Sequence, residues 1–257
     1  MDAVFPGGFP VGKWRAGRAC VAGGQRCAKL GAVTPAGDDL STSEPTPGAL
    51  VERARAWAVA DPEPDHVETV VELVGRVEQG DEEAVRRLRN LFDGRITFGT
   101  AGLRAPLGPG PRRMNRLVVR QTTAGLMRWL PLGARVVIGY DARWGSVDMA
   151  AEVAAVATGA GGEAEILPRP LPTPVLAATV LKRRADAGVM ITASHNPPTD
   201  NGYKLYLADG IQLVDPADGE IAAAIDAVVA SGVDIPLGAD PTVLDESSVD
   251  HHLELAV

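Results

Sequence analysis

The chain has 257 residues, 46% of them hydrophobic, and a formal net charge of −8. That length suits one or two domains with ample core. The acidic balance argues against a nucleic-acid surface, because binding phosphate backbones needs a basic face. No apolar run reaches the roughly 18 residues of a membrane-spanning helix. Met1-Asp2-Ala3-Val4 lacks the basic and apolar regions of a secretory signal. Cys20 and Cys27 have no matching Cys/His pair for zinc, and read as free thiols in a reducing compartment. The expectation is a cytoplasmic protein with neither nucleic acid nor membrane as partner.

Residues 1–48 are rich in Gly, Pro, Ser and Thr without a sustained period, and read as a disordered N-terminal tail ending in the linker Ser41 to Gly48. Residues 49–95 read as a helical layer. Its first helix, Leu50 to Ala60, keeps Trp57 on the inner side and is broken by Asp61-Pro62-Glu63-Pro64. Asp65 with Glu68 fits a capping box for a second helix through Gln79. Asp81 to Leu91 forms a third, with an acidic start that suits the macrodipole. His66, His251 and His252 read as surface residues.

Phe98-Gly99-Thr100-Ala101-Gly102-Leu103-Arg104 follows. This Gly-Thr-x-Gly-x-Arg loop offers backbone donors around Thr100 and Gly102 and the Arg104 guanidinium, all suited to a phosphate. A structural turn would account for the glycines equally well. Gly108-Pro109-Gly110-Pro111 makes a second tight loop. From Asn115 onward helices and strands alternate. Helix Asn115–Leu130, strand Ala134–Tyr140, a helix capped by Ser146, strand Gly162–Leu167, helix Thr173–Arg184 and strand Ala187–Thr192 argue for right-handed crossovers and a parallel sheet. Asp141 and Arg143 fall at the end of one strand, where they can simply pair with each other.

The densest stretch is Thr192-Ala193-Ser194-His195-Asn196-Pro197-Pro198, after the buried strand. The prolines end the ladder, so a serine sits on a stiff turn at the sheet's C-terminal edge, where open α/β folds bind ligands. Asn201-Gly202 reads as a turn into strand Tyr203–Tyr206, and Asp209-Gly210 as another into Ile211–Leu213, giving an antiparallel edge. Helix Pro216–Ser231 comes next, with no further element expected beyond Asp234.

On position alone Ser194 is either a covalent phosphate carrier or a turn serine bonding its own backbone. Acyl transfer is poorly supported: His195, on an extended segment, should point away from the serine, and there is no Gly-x-Ser-x-Gly elbow. Phosphoryl transfer needs positioned cations and backbone donors, and Arg104, Arg143 and Lys204 can supply them. Lys204 can turn back toward Ser194, or stand as an ordinary exposed strand lysine.

The stretch from Gly188 to Tyr206, GVMITASHNPPTDNGYKLY, closely resembles the phosphoserine loop of the α-D-phosphohexomutases, the phosphoglucomutase and phosphomannomutase superfamily. The resemblance covers roughly Phe98 to Ser231, and the FGTAGLR loop is most similar to the longer phosphoglucomutase/phosphopentomutase branch. It implies a three-layer α/β/α domain over residues 96–234, with a mainly parallel sheet and an antiparallel edge. It further implies an intramolecular phosphotransferase that interconverts sugar 1-phosphate and 6-phosphate, or the pentose equivalent, through a bisphosphorylated intermediate.

By resemblance Ser194 carries the phosphate, His195 and Asn196 assist, Lys204 is the general base or acid, and Arg104 stabilises the transferring group. Thr100, Gly102, Asn196, Asp141 and Arg143 bind or brace substrate and phosphate. A Mg²⁺ ion would rest on the Ser194 phosphate, and a glucose 1,6-bisphosphate-type activator would prime the serine. Members of the superfamily carry their magnesium loop, Asp-x-Asp-Gly-Asp, in a second domain, and this chain has no Asp-x-Asp-x-Asp. Residues 235–257 would only begin that domain. The expectation is a truncated mutase, acting on a phosphorylated sugar with a complementing C-terminal chain. The alternative is an inactive remnant that at most binds a phosphosugar or a partner.

Overall fold

The computed structural model describes residues 44–247. The tail up to residue 43, both cysteines, His251 and His252 lie outside them. Helices α1 (Pro47–Ala60), α2 (Pro64–Glu78) and α3 (Glu82–Phe92) come first. They precede β1 (Leu103–Pro106), α4 (Arg116–Trp129), β2 (Arg135–Tyr140), α5 (Ser146–Gly159), β3 (Glu163–Ile166) and α6 (Thr173–Arg183). The chain continues through β4 (Ala187–Ile191), β5 (Asp200–Leu207), α7 (Ala217–Ser231) and β6 (Thr242–Val243).

Among the described residues the strands form one sheet in the order β1-β5-β4-β2-β3-β6. β4, β2, β3 and β6 are parallel neighbours, whereas β5 runs antiparallel to both β4 and β1. The expected parallel sheet with an antiparallel edge is therefore present. Strand alternation sorts the side chains into two layers. Val136, Ile138, Val189, Ile191, Tyr203 and Leu205 face a core shared with α4, α5 and α7, which extends to Leu50, Trp57 and Leu88 of the helical layer. Val137, Met190 and Tyr206 face the other way, onto Val175, Leu176 and Val180 of α6. Glu152, buried on α5, accepts hydrogen bonds from Arg116 Nε at 2.7 Å and Arg120 Nη2 at 3.0 Å, tying α5 to α4.

After β2 the chain crosses to β3 on one side and then returns past β2 to β4 on the other. The C-terminal ends of β2 and β4 thus flank a topological switch point, the crevice where such sheets bind ligands.

Several local expectations are corrected. Asn201-Gly202 is not a turn: β5 starts at Asp200, and Asn201 is fully buried within that strand. Ile211–Leu213 forms no strand, and Gln212 bridges only to Tyr206. Ser146 does not cap α5, whose N-cap is the left-handed Gly145; its hydroxyl is engaged by Asp141 instead. Asp65 makes no cap for α2, because Pro64 already opens that helix after Glu63. Thr242–Val243, where no element was expected, pairs with β3.

His66 is not an isolated surface residue either. Its Nδ1 lies 2.8 Å from Glu63 Oε2 and 3.4 Å from Asp61 Oδ2. Asp61 also accepts from Trp57 Nε1 at 2.8 Å and from the Glu63 amide at 3.1 Å, so it joins α1 to α2. Burial alone would lower the pKa of His66, but the adjacent carboxylates of Asp61 and Glu63 outweigh it and push it up to about 9. The folded state therefore holds a proton that the unfolded chain releases nearer 6.5. Its stabilising contribution is complete below pH 6.5 and disappears as pH rises through about 9. His66→Gln should flatten that part of the stability profile, measured by urea unfolding midpoints across this window.

Candidate active site at the switch point

Thr192 to Pro198 leaves β4 at its C-terminal end. Ser194 adopts φ +60°, in the left-handed region, at a cost of roughly 1–2 kcal/mol for a residue with a Cβ. Its amide donates to Thr192 Oγ1 at 3.0 Å, an internal bond that helps hold this turn. The result is an exposed hydroxyl carried on a buried base, Ile191 to Ala193. His195 does not point away: its Nδ1 lies 3.1 Å from Ser194 Oγ, because the left-handed serine breaks the extended course on which side chains alternate. Among the described residues no carboxylate orients the other imidazole nitrogen, so the arrangement still lacks the third member of an acyl-transfer triad.

Arg143 organises the loop. Its Nη1 donates to the carbonyls of Pro197 at 2.7 Å and Asp200 at 3.1 Å, and its Nη2 to those of Ser194 at 2.7 Å and Asn196 at 2.9 Å. Its Nε lies 3.3 Å from Asp141 Oδ2, while Asp141 Oδ1 accepts from the Arg143 amide at 3.0 Å and from Ser146 Oγ at 2.8 Å. Asn201 continues this network, donating to Ser146 Oγ at 2.9 Å and the Trp144 carbonyl at 3.0 Å while accepting from the Gly202 amide at 2.8 Å. Asn196 donates to Asp200 Oδ2 at 3.0 Å. The guanidinium of Arg143, expected to bind or brace substrate and phosphate, is engaged by the loop's own backbone and by Asp141.

Arg104 and Lys204 reach the site from β1 and β5. Arg104 stands opposite Gly202 and Lys204 opposite Met190, and alternation puts both on the α6 face of the sheet. Lys204 is 8% exposed, not the exposed strand lysine that was one reading of it. Burial first, and then repulsion from Arg104, lower its pKa below the ordinary lysine value, with Asp141 acting in the opposite direction. Arg104 Nε is buried without a hydrogen-bond partner.

The Gly99–Gly102 turn ahead of β1 is closed by a 2.7 Å bond from the Gly102 amide to the Gly99 carbonyl. Gly102 has φ +74°, and a Cβ there would lie 1.9 Å from the Tyr203 carbonyl oxygen, so only glycine lets the turn sit against β5. Thr100 is exposed, and its carbonyl accepts from Gln212.

Sequence reasoning missed Thr192, Ser146, Asp200 and Asn201. Thr192, two residues before Ser194, carried a legible signal, since Thr hydroxyls commonly bond the backbone two residues on. The others depend on contacts between distant segments. For a metal the fit is poor: among the described residues no group of three or more His, Cys, Asp or Glu can hold an ion. Ser194 Oγ alone does not make an octahedral Mg²⁺ site.

Comparison with known proteins agrees with this architecture. Residues 95–230 match the family described as phosphoglucomutase/phosphomannomutase, alpha/beta/alpha domain I. A Haemophilus influenzae protein named "Probable phosphomannomutase" is 46% identical over 147 residues, covering 54% of this chain and 30% of that protein. Mouse phosphopentomutase is 41% identical over 189 residues, covering 69% of this chain and 30% of the relative. A solved structure from Thermus thermophilus, described under the name phosphomannomutase, superposes with a TM-score of 0.52 at 32% identity, covering 60% of this chain and 34% of that one. The chain spans about 30% of the length of these curated relatives. With more than half of its residues matching domain I, the chain belongs to the phosphoglucomutase/phosphomannomutase family.

Proposed function

We propose that the chain serves a phosphosugar mutase, interconverting a sugar 1-phosphate with its 6-phosphate, or a pentose 1-phosphate with its 5-phosphate, with Ser194 as the phosphate carrier. The observation that carries this reading is the pairing of an exposed, strained Ser194 hydroxyl on a braced loop with two cations, Arg104 and Lys204, of which neither holds a carboxylate ion pair among the described residues. Relatives named phosphopentomutase, phosphoribomutase and probable phosphomannomutase support the reaction class.

In the forward step a sugar hydroxyl attacks the phosphorus on Ser194. The new O–P bond forms at the sugar oxygen as the Ser194 O–P bond breaks, and the bisphosphorylated sugar then returns its other phosphate to the serine. Lys204, with its pKa lowered, accepts the proton of the attacking hydroxyl and returns it in the reverse half. Arg104 stabilises charge on the phosphoryl oxygens. The His195 ring donates to or accepts from Ser194 Oγ as the phosphate leaves and returns, and the backbone around Thr100 and Gly102 supplies donors. Asn196 holds the loop through Asp200, while Asp141 and Arg143 position it rather than touch the sugar. A Mg²⁺ ion bound to the phosphoserine would add electrostatic stabilisation; its remaining ligands are not among the described residues. A glucose 1,6-bisphosphate-type activator would charge Ser194 before the first turnover.

The direct test is phosphoryl transfer from labelled glucose 1,6-bisphosphate to the purified chain, followed by a coupled mutase assay with glucose 1-phosphate and Mg²⁺. Label should appear on Ser194 and be absent from Ser194→Ala. No label on a chain that is folded by circular dichroism would sink the carrier role. Label without turnover would place the complete reaction in a longer assembly.

Three further outcomes follow from the geometry. Ser194→Gly should be about 1 kcal/mol more stable than Ser194→Ala in urea unfolding, because glycine removes the left-handed strain. Arg143→Lys cannot span four carbonyls with one ammonium, and should cost about 2–3 kcal/mol and raise amide exchange across Thr192–Asn201. The pH–rate limb belonging to Lys204 should lie below the ordinary lysine range. Arg104→Gln should move it upward, because the nearby positive charge is gone.

A further inference from the structure

A second concentration of positive charge lies elsewhere in the fold. A cavity of about 500 Å³, within the usual range for small-molecule sites, opens between α3 and the Gly108–Arg113 loop. Arg86, Arg87 and Arg113 line it with one carboxylate, Glu83, and Leu91 and Leu107 add apolar surface. The nearby Arg76, Arg89 and Arg116 each hold a carboxylate. Among the described residues none lies within ion-pair distance of Arg86, Arg87, Arg112 or Arg113. None of Ser194, Lys204, Arg104 and Arg143 lines this cavity.

The loop is built to hold its shape. The Asn115 side chain donates to the carbonyls of Gly108 and Gly110, both at 2.9 Å, and caps α4 by accepting from the Val118 amide at 2.9 Å. Gly110 presses against α3 so closely that a Cβ would lie 2.8 Å from the Leu91 carbonyl oxygen. Arg113 Nη2 donates to the Asn90 side chain, which fixes the guanidinium at the rim. Burial first, and then the adjacent Arg112, make the charged form of Arg113 less favourable than in water. An anion in the cavity would reverse that penalty.

We infer that this cavity is a binding site for a small phosphorylated molecule, separate from the Ser194 site. Arginine forks match phosphate geometry, and three arginines line this one cavity beside the apolar Leu91 and Leu107. A polymeric polyanion or a membrane surface is disfavoured by the net charge of −8, which leaves the positive potential local. One backbone bond, from the Leu107 amide to the Thr199 carbonyl at 2.9 Å, links the cavity wall to the end of the serine loop.

The test is calorimetric titration of the full chain with inorganic pyrophosphate, in the Ser194→Ala background so that no phosphoryl transfer intervenes. Binding should persist in Arg104→Gln. It should weaken about tenfold or more in Arg113→Gln, and again in Arg86→Gln/Arg87→Gln, whose side chains are exposed and whose loss should not disturb folding. Added salt should weaken binding further. Absence of binding would overturn the proposal, as would binding that disappears in Arg104→Gln while the α3 variants leave it unchanged. Arginine-dependent binding of single-stranded RNA or of phosphatidylserine vesicles, with none of pyrophosphate, would overturn the small-ligand class.

Discussion

A loop with two successive prolines cannot satisfy its own carbonyls through a strand ladder, and the whole site depends on how this chain solves that problem. Pro197 and Pro198 have no amide to donate. The Pro197 carbonyl accepts from the Asp200 amide at 3.0 Å, and the carbonyls of Ser194, Asn196, Pro197 and Asp200 all converge on one planar guanidinium, Arg143, delivered from beyond the end of the neighbouring parallel strand. Asp141 balances that charge, Ser146 bonds Asp141, and Asn201 bonds Ser146. A continuous polar network therefore crosses the switch point from the end of β2 to the start of β5. It lets a short loop hold a serine in a backbone conformation that serine disfavours.

The antiparallel course of β5 matters as much. Had the strand after the serine loop crossed over in parallel, its start would lie at the opposite edge of the sheet. Because it turns straight back, Lys204 falls a few residues from the loop, on the α6 face. β1, paired antiparallel to β5, adds Arg104 on the same face. Two cations then share a poorly hydrated position, which depresses the lysine pKa and leaves a guanidinium nitrogen unsatisfied. Stability alone would not favour such a pair; the phosphate-binding role proposed for it would.

The sequence made some of this legible and hid the rest for identifiable reasons. Val136 to Ile138 and Val189 to Ile191 are continuous apolar runs between helical patterns, so a buried parallel sheet followed directly. β1 was hidden because Leu103–Pro106 is four residues long and set among glycines and prolines. Asn201-Gly202 is the usual hairpin signal, but here the asparagine amide bonds Ser146 and Trp144 from within a strand, a use that depends on residues more than 50 positions away. The direction of His195 depends on the sign of one φ angle at Ser194, which no residue-type pattern reveals. His66 looked isolated because its partners Asp61 and Glu63 belong to the break between two helices, where the sequence suggested only punctuation.

The two ends of the sheet are short. On one side β1 has four residues and closes with Pro106, and on the other β6 has two. A long unpaired strand would present a row of free amides and carbonyls to another copy of the chain. Here the longer strands, β2, β4 and β5, each have neighbours on both sides. Among the described residues, strand-to-strand polymerisation therefore has little to template on.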